Sequence, residues 1–375
     1  MDIETFQMER MQCLYENEVE YNLSESGVQP MSVAELMAGQ DLDALLSMGL
    51  GYPHSNGSHA LRERVAAFYP GATPENVTVM NGGSEVNHIV LWTLLEPPHR
   101  LAFMVPNYMQ GWGLGRHYGG GSDVFHLVVR GSDDGRHWAL DVDELRRAVT
   151  DRTSVILVTN PNNPTGAVLT EQEMAGVVEV AREADAWLVA DEIYRGAELD
   201  GRTTPTFWGS YDKLIVTSGL SKAFALPGLR LGWAVAPPEL IERLWIHHDY
   251  TTLTPAMLSD RLAAIAMDPP RRERILARTR GIIRRNLPAL EEWVHGHPGV
   301  LEYVPPAAGA IAYLGYDLPI GSSDLVDRIR VEQSVLVVPG EQFGMEKYLR
   351  IGFGSEPDYL RKGLERISET LRQIG

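Results

Sequence analysis

The sequence predicts an α/β fold: a large domain with a mostly parallel sheet flanked by helices, plus a smaller α+β domain. Three observations carry this. Near-continuous apolar, β-branched runs recur along the chain ("NVTVM" at 76–80, "RLAFMV" at 100–105, "TSVILVTN" at 153–160, "AWLVADE" at 186–192, "KLIVTSG" at 213–219, "LGWAVA" at 231–236). Runs without polar alternation read as strands buried on both faces. Helix-like segments separate them, which is the order of a layered α/β architecture. At 375 residues the chain exceeds what one hydrophobic core usually serves, so two domains are expected.

The elements follow in order. "NVTVM" leads into a helical stretch, "NGGSEVNHIVLWTLL", and "RLAFMV" leads into "PNYMQGWG". "TSVILVTN" ends in the turn-rich "PNNPTG", and a helix pattern then runs from Thr170 to about Ala184. A long charged helix pattern spans Pro269 to His297, with Pro288 expected to break or kink it. Short strands close the chain ("VLEYV", "GAIAYLGY", "VLVVPG", "YLRIGFG"), followed by a last helix from Glu356 to Ile374. This tail reads as the smaller domain. The expected divisions are an N-terminal segment, 1–45, joining the small domain, a large domain, 46–290, and a small domain, 291–375.

Composition narrows the classes of function. Hydrophobic residues make up 44% and charged residues 22%, ordinary for a globular chain. The net charge of −17 argues against nucleic acid or an anionic membrane as the main partner. Cys13 is the only cysteine, which rules out an intrachain disulfide and a cysteine-based zinc cluster. The acidic N-terminus has no apolar core, so it does not read as a signal peptide, and no apolar run approaches the ~20 residues that span a bilayer. A cytoplasmic location is expected. No metal is expected: His247, His248 and Asp249 follow a helix pattern and read as helix-end residues.

In an open parallel sheet, ligands bind beyond the carboxyl ends of the strands. Chemically loaded residues fall there. Gly82, Gly83 and Ser84 follow one strand and open a helix, a cup suited to phosphate or simply an N-cap. Asn163 ends another strand, and Asp191 and Tyr194 sit where "LVADEIY" leaves a third. The dry segment "SGLSKAFALPGLRLGW" at 218–233 carries only Lys222 and Arg230 as charges. Most lysines are solvated surface groups, but a lysine in a dry setting can present a neutral, nucleophilic amine. "GWGLGRHYGGG" at 111–121 fails the dinucleotide spacing; its glycines are expected to keep space open beside Tyr108.

Taken together, "NPNNPTG" at 160–166, "DEIY" at 191–194, "SKAFALPGLRLGW" at 221–233 and "LRIGF" at 349–353 resemble the class I/II aminotransferase family of fold type I pyridoxal-phosphate enzymes. The resemblance runs from about Tyr21 to the C-terminus and implies an aspartate aminotransferase-like fold, with 46–290 as the cofactor-binding domain. It implies that Lys222 holds pyridoxal 5'-phosphate as a Schiff base and that Asp191 pairs with the ring nitrogen. Asn163 and Tyr194 would bond the ring's phenolic oxygen, and Tyr108 would stack on the ring. Arg230, Ser84 and the Gly83 backbone would hold the phosphate, with Ser221 beside Lys222. Tyr52 matches the position that reaches the phosphate of a neighbouring subunit, which implies a homodimer with shared sites. Arg350 matches the arginine that grips the substrate α-carboxylate, with Gly27 and Asn163 beside the substrate. One departure stands out: the Ser or Thr common three residues before the lysine is Gly219 here, with Ser218 displaced by one.

Partial likeness to the capreomycidine synthase branch ("SESGVQP" at 24–30, "HDYTTLTP" at 248–255, "VLVVPG" at 335–340) points to cyclisation instead of transamination. The acidic run "YENEVEYNLSESG" could face a cationic substrate tail, although a solvated charged face explains it more cheaply. The favoured expectation is an aminotransferase acting on a small-molecule amino acid. The alternatives are a pyridoxal-phosphate-dependent cyclase, lyase or β/γ-elimination-replacement enzyme, capreomycidine synthase-like or aminocyclopropane-carboxylate synthase-like, and, least favoured, a non-catalytic ligand-sensing module.

Overall fold

The computed structural model describes residues 3–132 and 135–375. Its strands are, in chain order, β1 Tyr21–Asn22, β2 Val77–Met80, β3 Arg100–Val105, β4 Ser122–Arg130, β5 His137–Leu140, β6 Thr153–Thr159, β7 Trp187–Asp191, β8 Leu214–Gly219, β9 Gly232–Val235, β10 Leu301–Glu302, β11 Ile311–Tyr316, β12 Val335–Leu336, β13 Val338–Pro339 and β14 Tyr348–Gly352. Eight form one sheet, ordered β2-β9-β8-β7-β6-β3-β4-β5. The run β8-β7-β6-β3-β4 is parallel, while β9 lies antiparallel between β2 and β8, and β5 is an antiparallel edge. Helices cover both faces, so β2, β8 and β9 are buried at every residue. That burial is why their sequences show no polar alternation. The α/β expectation holds.

A second sheet, ordered β10-β11-β14-β13, is antiparallel throughout. The long helix Pro269–His295 packs beside it, and the last helix, Pro357–Ile374, packs against that helix and against β1 and β12. The N-terminal segment reaches this region: β1 pairs in parallel with β12, and the Gly352 amide donates to the Leu23 carbonyl at 2.7 Å.

Two local expectations are corrected. The break expected at Pro288 does not occur, since the helix Pro269–His295 runs continuously through it. A proline inside a helix costs about 3 kcal/mol, but Ile282, Ile283 and Asn286 before it, and Leu290 and Val294 after it, are all buried on one packed face. That burial outweighs the lost hydrogen bond. Nor do the glycines of 111–121 open space beside Tyr108. Gly111 and Gly115 lie in the helix Gln110–Tyr118. A Cβ on Gly111 would stand 2.8 Å from Phe103, and one on Gly115 would stand 2.4 Å from the Ser122 hydroxyl. They let that helix sit directly on β3 and its neighbours.

Candidate active site

A cavity of about 310 Å³ opens at the carboxyl ends of β6, β7 and β8. It gathers Gly83, Ser84, Tyr108, Asn163, Asp191, Tyr194, Ser218, Ser221, Lys222, Arg230 and Arg350 from positions up to 267 residues apart (350 − 83).

Asp191 is the last residue of β7. Its carboxylate accepts the Ile193 amide at 3.0 Å, which fastens the turn, and the Asn87 side-chain amide at 2.9 Å. Burial raises its pKa above the ordinary carboxylate value, with the Asn87 and Ile193 donors opposing. Asn87 lies one helical turn beyond Gly83 and was missed by sequence reasoning; the i, i+4 spacing from the Gly-Gly-Ser turn is the signal that could have found it.

Beyond β6, the loop 160–166 uses its asparagines as fasteners. Asn160 accepts the Leu169 amide at 2.9 Å, and Asn162 accepts the Thr165 hydroxyl at 2.6 Å. Asn163 is turned to the cavity, where its oxygen accepts from Arg350 Nη1 at 3.1 Å. The Arg350 guanidinium also donates to the Ser24 carbonyl and lies 5.0 Å from the Phe343 ring centre. Arg350 is 1% exposed, and its Nε has no partner among the described residues. Burial pulls its pKa below the ordinary value, offset in part by Tyr194 and Glu25. The Tyr194 hydroxyl is likewise buried without a partner. Buried polar groups are normally satisfied, so these orphans mark where a polar ligand fits.

Lys222 follows β8 and lies 3.9 Å from the Glu25 carboxylate. That ammonium is the main cause holding the Glu25 pKa below its ordinary value; burial opposes it, and Arg350 and the Gly27 and Ser26 amides assist. Gly27 stands beside the lysine: a Cβ there would lie 3.6 Å from the Ser221 carbonyl and 3.9 Å from Lys222 Cδ.

Gly82 caps the helix Gly83–Leu94 with φ +99°, so Ser84 is the second helical residue and not the N-cap. The first amides of a helix lack intrahelical acceptors and favour an anion. Arg230 closes over this turn. Its guanidinium would stand 2.6 Å from a Cβ on Gly82, and its Nη1 contacts the Ser221 hydroxyl at 3.4 Å. The departure at Gly219 has a steric reason. A Cβ there would meet the Leu231 carbonyl at 2.9 Å and Gly232 Cα at 3.1 Å, so serine or threonine has no room. Ser218 donates to the Glu192 carbonyl at 3.3 Å, whereas the cavity-lining Thr217 hydroxyl is buried and unpartnered.

Tyr108 donates to Glu9 at 2.8 Å, and its pKa is raised by burial first and then by that carboxylate. Glu9, Gln12, Glu16 and Glu25 also line the cavity, and only the last two belong to the acidic run noted in the sequence. Tyr52 is not brought to this cavity; it is 88% exposed. His247 and His248 occupy the last turn of the helix Pro238–His248, where His247 contacts Thr93 and His248 contacts Thr252.

Residues 22–367 match the family described as aminotransferase class I and II. The chain belongs to that family. Among its relatives, capreomycidine synthase of Streptomyces vinaceus is 28% identical over 93% of this chain and 89% of its own. A pyridoxal-phosphate-dependent aminotransferase of Streptococcus suis superposes with a TM-score of 0.91 at 30% identity, covering 100% of this chain and 99% of its own. The pyridoxal-phosphate-dependent cyclase OrfR superposes with a TM-score of 0.88 at 27% identity, covering 100% and 98%.

The protein is therefore a pyridoxal-phosphate-dependent, aminotransferase-family enzyme acting on amino acids. The cavity fits pyridoxal 5'-phosphate: a free phenol at Tyr194, an amide-held carboxylate at Asp191, and a glycine turn that any Cβ on Gly82 would fill.

Proposed function

We propose that the chain is an aminotransferase whose site residues divide the work as follows. Lys222 would hold the cofactor through its aldehyde, and its amine is the group placed to move the proton at the substrate Cα. Asp191, oriented by Asn87, keeps the ring nitrogen protonated. Asn163 and Tyr194 would bond the ring's phenolic oxygen, and Tyr108 would lie against the ring. Ser84, Ser221, Arg230 and the Gly83 amide hold the phosphate. Arg350 binds the α-carboxylate, with Gly27 leaving space beside it. The cofactor supplies an electron sink for the carbanion formed at Cα. The observation that carries this reading is the buried Arg350 with its unpartnered Nε, in one cavity with Lys222 and Asp191.

Transamination leaves the amino group on the cofactor and needs a keto acid to reset it. Given its amino acid and no keto acid, the enzyme is expected to stop after one turnover, with the visible absorbance of the aldehyde form lost. Sustained product without any acceptor favours a cyclase or lyase, the reading supported by likeness to capreomycidine synthase and OrfR.

Glu9, Glu16 and Glu25 form an acidic group in a lining that also holds Lys222, Arg230 and Arg350, and the charges of Glu9 and Glu25 both act on Glu16. An amino acid with a cationic side chain is therefore expected to bind more tightly than its uncharged counterpart, arginine against citrulline and lysine against norleucine. Glu25→Gln should lower that preference by about 2- to 5-fold, the size of a partly exposed ion pair. Dissociation constants from absorbance titration provide the measurement.

The proposal includes a homodimer with shared sites and, on the single cysteine Cys13, a cytoplasmic location. Leu46, Leu50, Tyr52 and Tyr250 are each more than 70% exposed. The stretch after Tyr52 is tied to the 245–260 region by Ser55 with Trp245 (3.0 Å) and Ser58 with Asp260 (2.8 Å). An exposed apolar patch of this kind suits a second copy of the chain. If Tyr52 serves the neighbouring site, mixing inactive Lys222→Ala chains with inactive Tyr52→Ala chains should restore activity, because one hybrid site carries neither lesion. Hybrids without recovered activity would refute the shared site.

A further inference from the structure

The helix Gln7–Tyr15 lays Met8, Glu9, Gln12 and Cys13 along the cavity. The carboxylate of Glu9 has a single hydrogen-bonding partner among the described residues, the Tyr108 hydroxyl at 2.8 Å; it makes no ion-pair contact with them, although its charge acts on Arg350 from a distance. Phe6, the residue capping the same helix, meets the Tyr108 ring edge-on, with centres 4.9 Å apart and planes at 63°. One short segment therefore holds both the far end and the edge of this tyrosine. A phenol has only one proton to donate, and a carboxylate is its strongest neutral-donor acceptor. While Glu9 takes that proton, Tyr108 has none to offer a ligand.

The same helix touches Arg350. Met8 Sδ lies 4.0 Å from Arg350 Nη1. Gln12 donates to the Ser24 carbonyl at 3.1 Å and to the Ser24 hydroxyl at 3.0 Å, and that carbonyl also accepts from Arg350.

We propose that Glu9 is a positioning residue of this active site: by accepting a hydrogen bond from the Tyr108 hydroxyl it fixes the aromatic ring over the cofactor pocket, from a helix that also braces Arg350. The proposal rests on the cofactor reading above, since it places Tyr108 beside the cofactor ring. Glu9 contributes no proton to the reaction; it acts through Tyr108. The ring then serves as a fixed wall, and placement of substrate carboxylate and cofactor ring share one support.

The test is a double-mutant cycle on the cofactor-loaded protein: Glu9→Ala, Tyr108→Phe, the pair together, and Glu9→Gln. The readouts are the visible circular dichroism of the bound cofactor and the separate changes in kcat and KM. Glu9→Ala and Tyr108→Phe should each weaken the visible band and raise KM about tenfold, the scale of a charge-assisted hydrogen bond. The double variant should be no worse than either single one. Glu9→Gln, which keeps an acceptor oxygen, should lie closer to the parent than Glu9→Ala does.

Additive losses, a visible band unchanged in Glu9→Ala, or Glu9→Gln as impaired as Glu9→Ala would each overturn the proposal. If Glu9→Ala does not fold, the cycle is run with Glu9→Leu, which also removes the acceptor, and Tyr108→Phe, where additive losses again refute it. A parent protein that binds no cofactor refutes the cofactor reading itself; a parent with a normal band and an indifferent Glu9 refutes only the role given to Glu9.

Discussion

Lys222→Ala is expected to fold normally and to lose at least about 10²–10⁴-fold in turnover, the contribution of a positioned general base alone. The fold should survive because the side chain supports little. Its one ion pair among the described residues, with Glu25, spans 3.9 Å, and it is part-exposed in a loop beyond β8. The neighbouring core residues Ala223, Phe224 and Ala225 are fully packed without it. Borohydride reduction of the loaded parent should place the cofactor label on the peptide containing Lys222. The variant should bind cofactor without covalent attachment and give no labelled peptide. A label on Lys213 or Lys347, or near-parental turnover in the variant, would remove Lys222 from the site.

Asp191→Asn is expected to cost about 10²–10³-fold in kcat, as when one preorganised charge partner is removed from a dry site. Shape is nearly conserved, so cofactor affinity should fall less than turnover. The same substitution should have the opposite effect on the cofactor-free fold. Burial raises the Asp191 pKa, so the folded state holds its proton more tightly than the unfolded chain does. The buried charge therefore destabilises the parent progressively as pH rises through the native pKa, and below the unfolded value the penalty vanishes. Cofactor-free Asp191→Asn should be the more stable protein at neutral pH, with the advantage fading on acidification. Melting curves across pH, paired with kcat, test both halves. Equal kcat would reduce Asp191 to the cap of its own turn.

The parallel strands were legible because burial on both faces strips them of polar residues. Strand β4 was not singled out: most of its residues are only partly buried, and Asp123 and His126 interrupt its apolar run. Nothing local announces that β9 runs antiparallel between β2 and β8, because strand order is a property of the assembled sheet. Residues at strand ends were readable for a chemical reason: each sits in a short segment whose composition is odd for its surroundings, as a lysine is in a dry run. Glu9 and Asn87 have ordinary neighbours, and Glu25 stood out only as one member of an acidic run that a solvated face explains as well. They reach the cavity only through tertiary packing, Glu25 by way of the β1–β12 pairing and Asn87 by helical phase. The glycines of 111–121 misled because helix-on-strand contact and an open pocket call for the same residue.

The pairing of β1 with β12 has a consequence for how the protein is made. Glu20 and Ser334, bonded at 2.8 Å, are 314 residues apart in the chain. At a synthesis rate of about 5–20 residues per second, roughly 15–60 s separate their emergence from the ribosome. Throughout that interval the segment carrying Glu25 and Gly27 has no strand to join, while the sheet bearing Lys222 can already form. Competence for catalysis thus waits for β12, which draws the segment around Glu25 and Gly27 across the pocket, and a nascent chain stalled before Val335 should remain without activity however well its large sheet has formed.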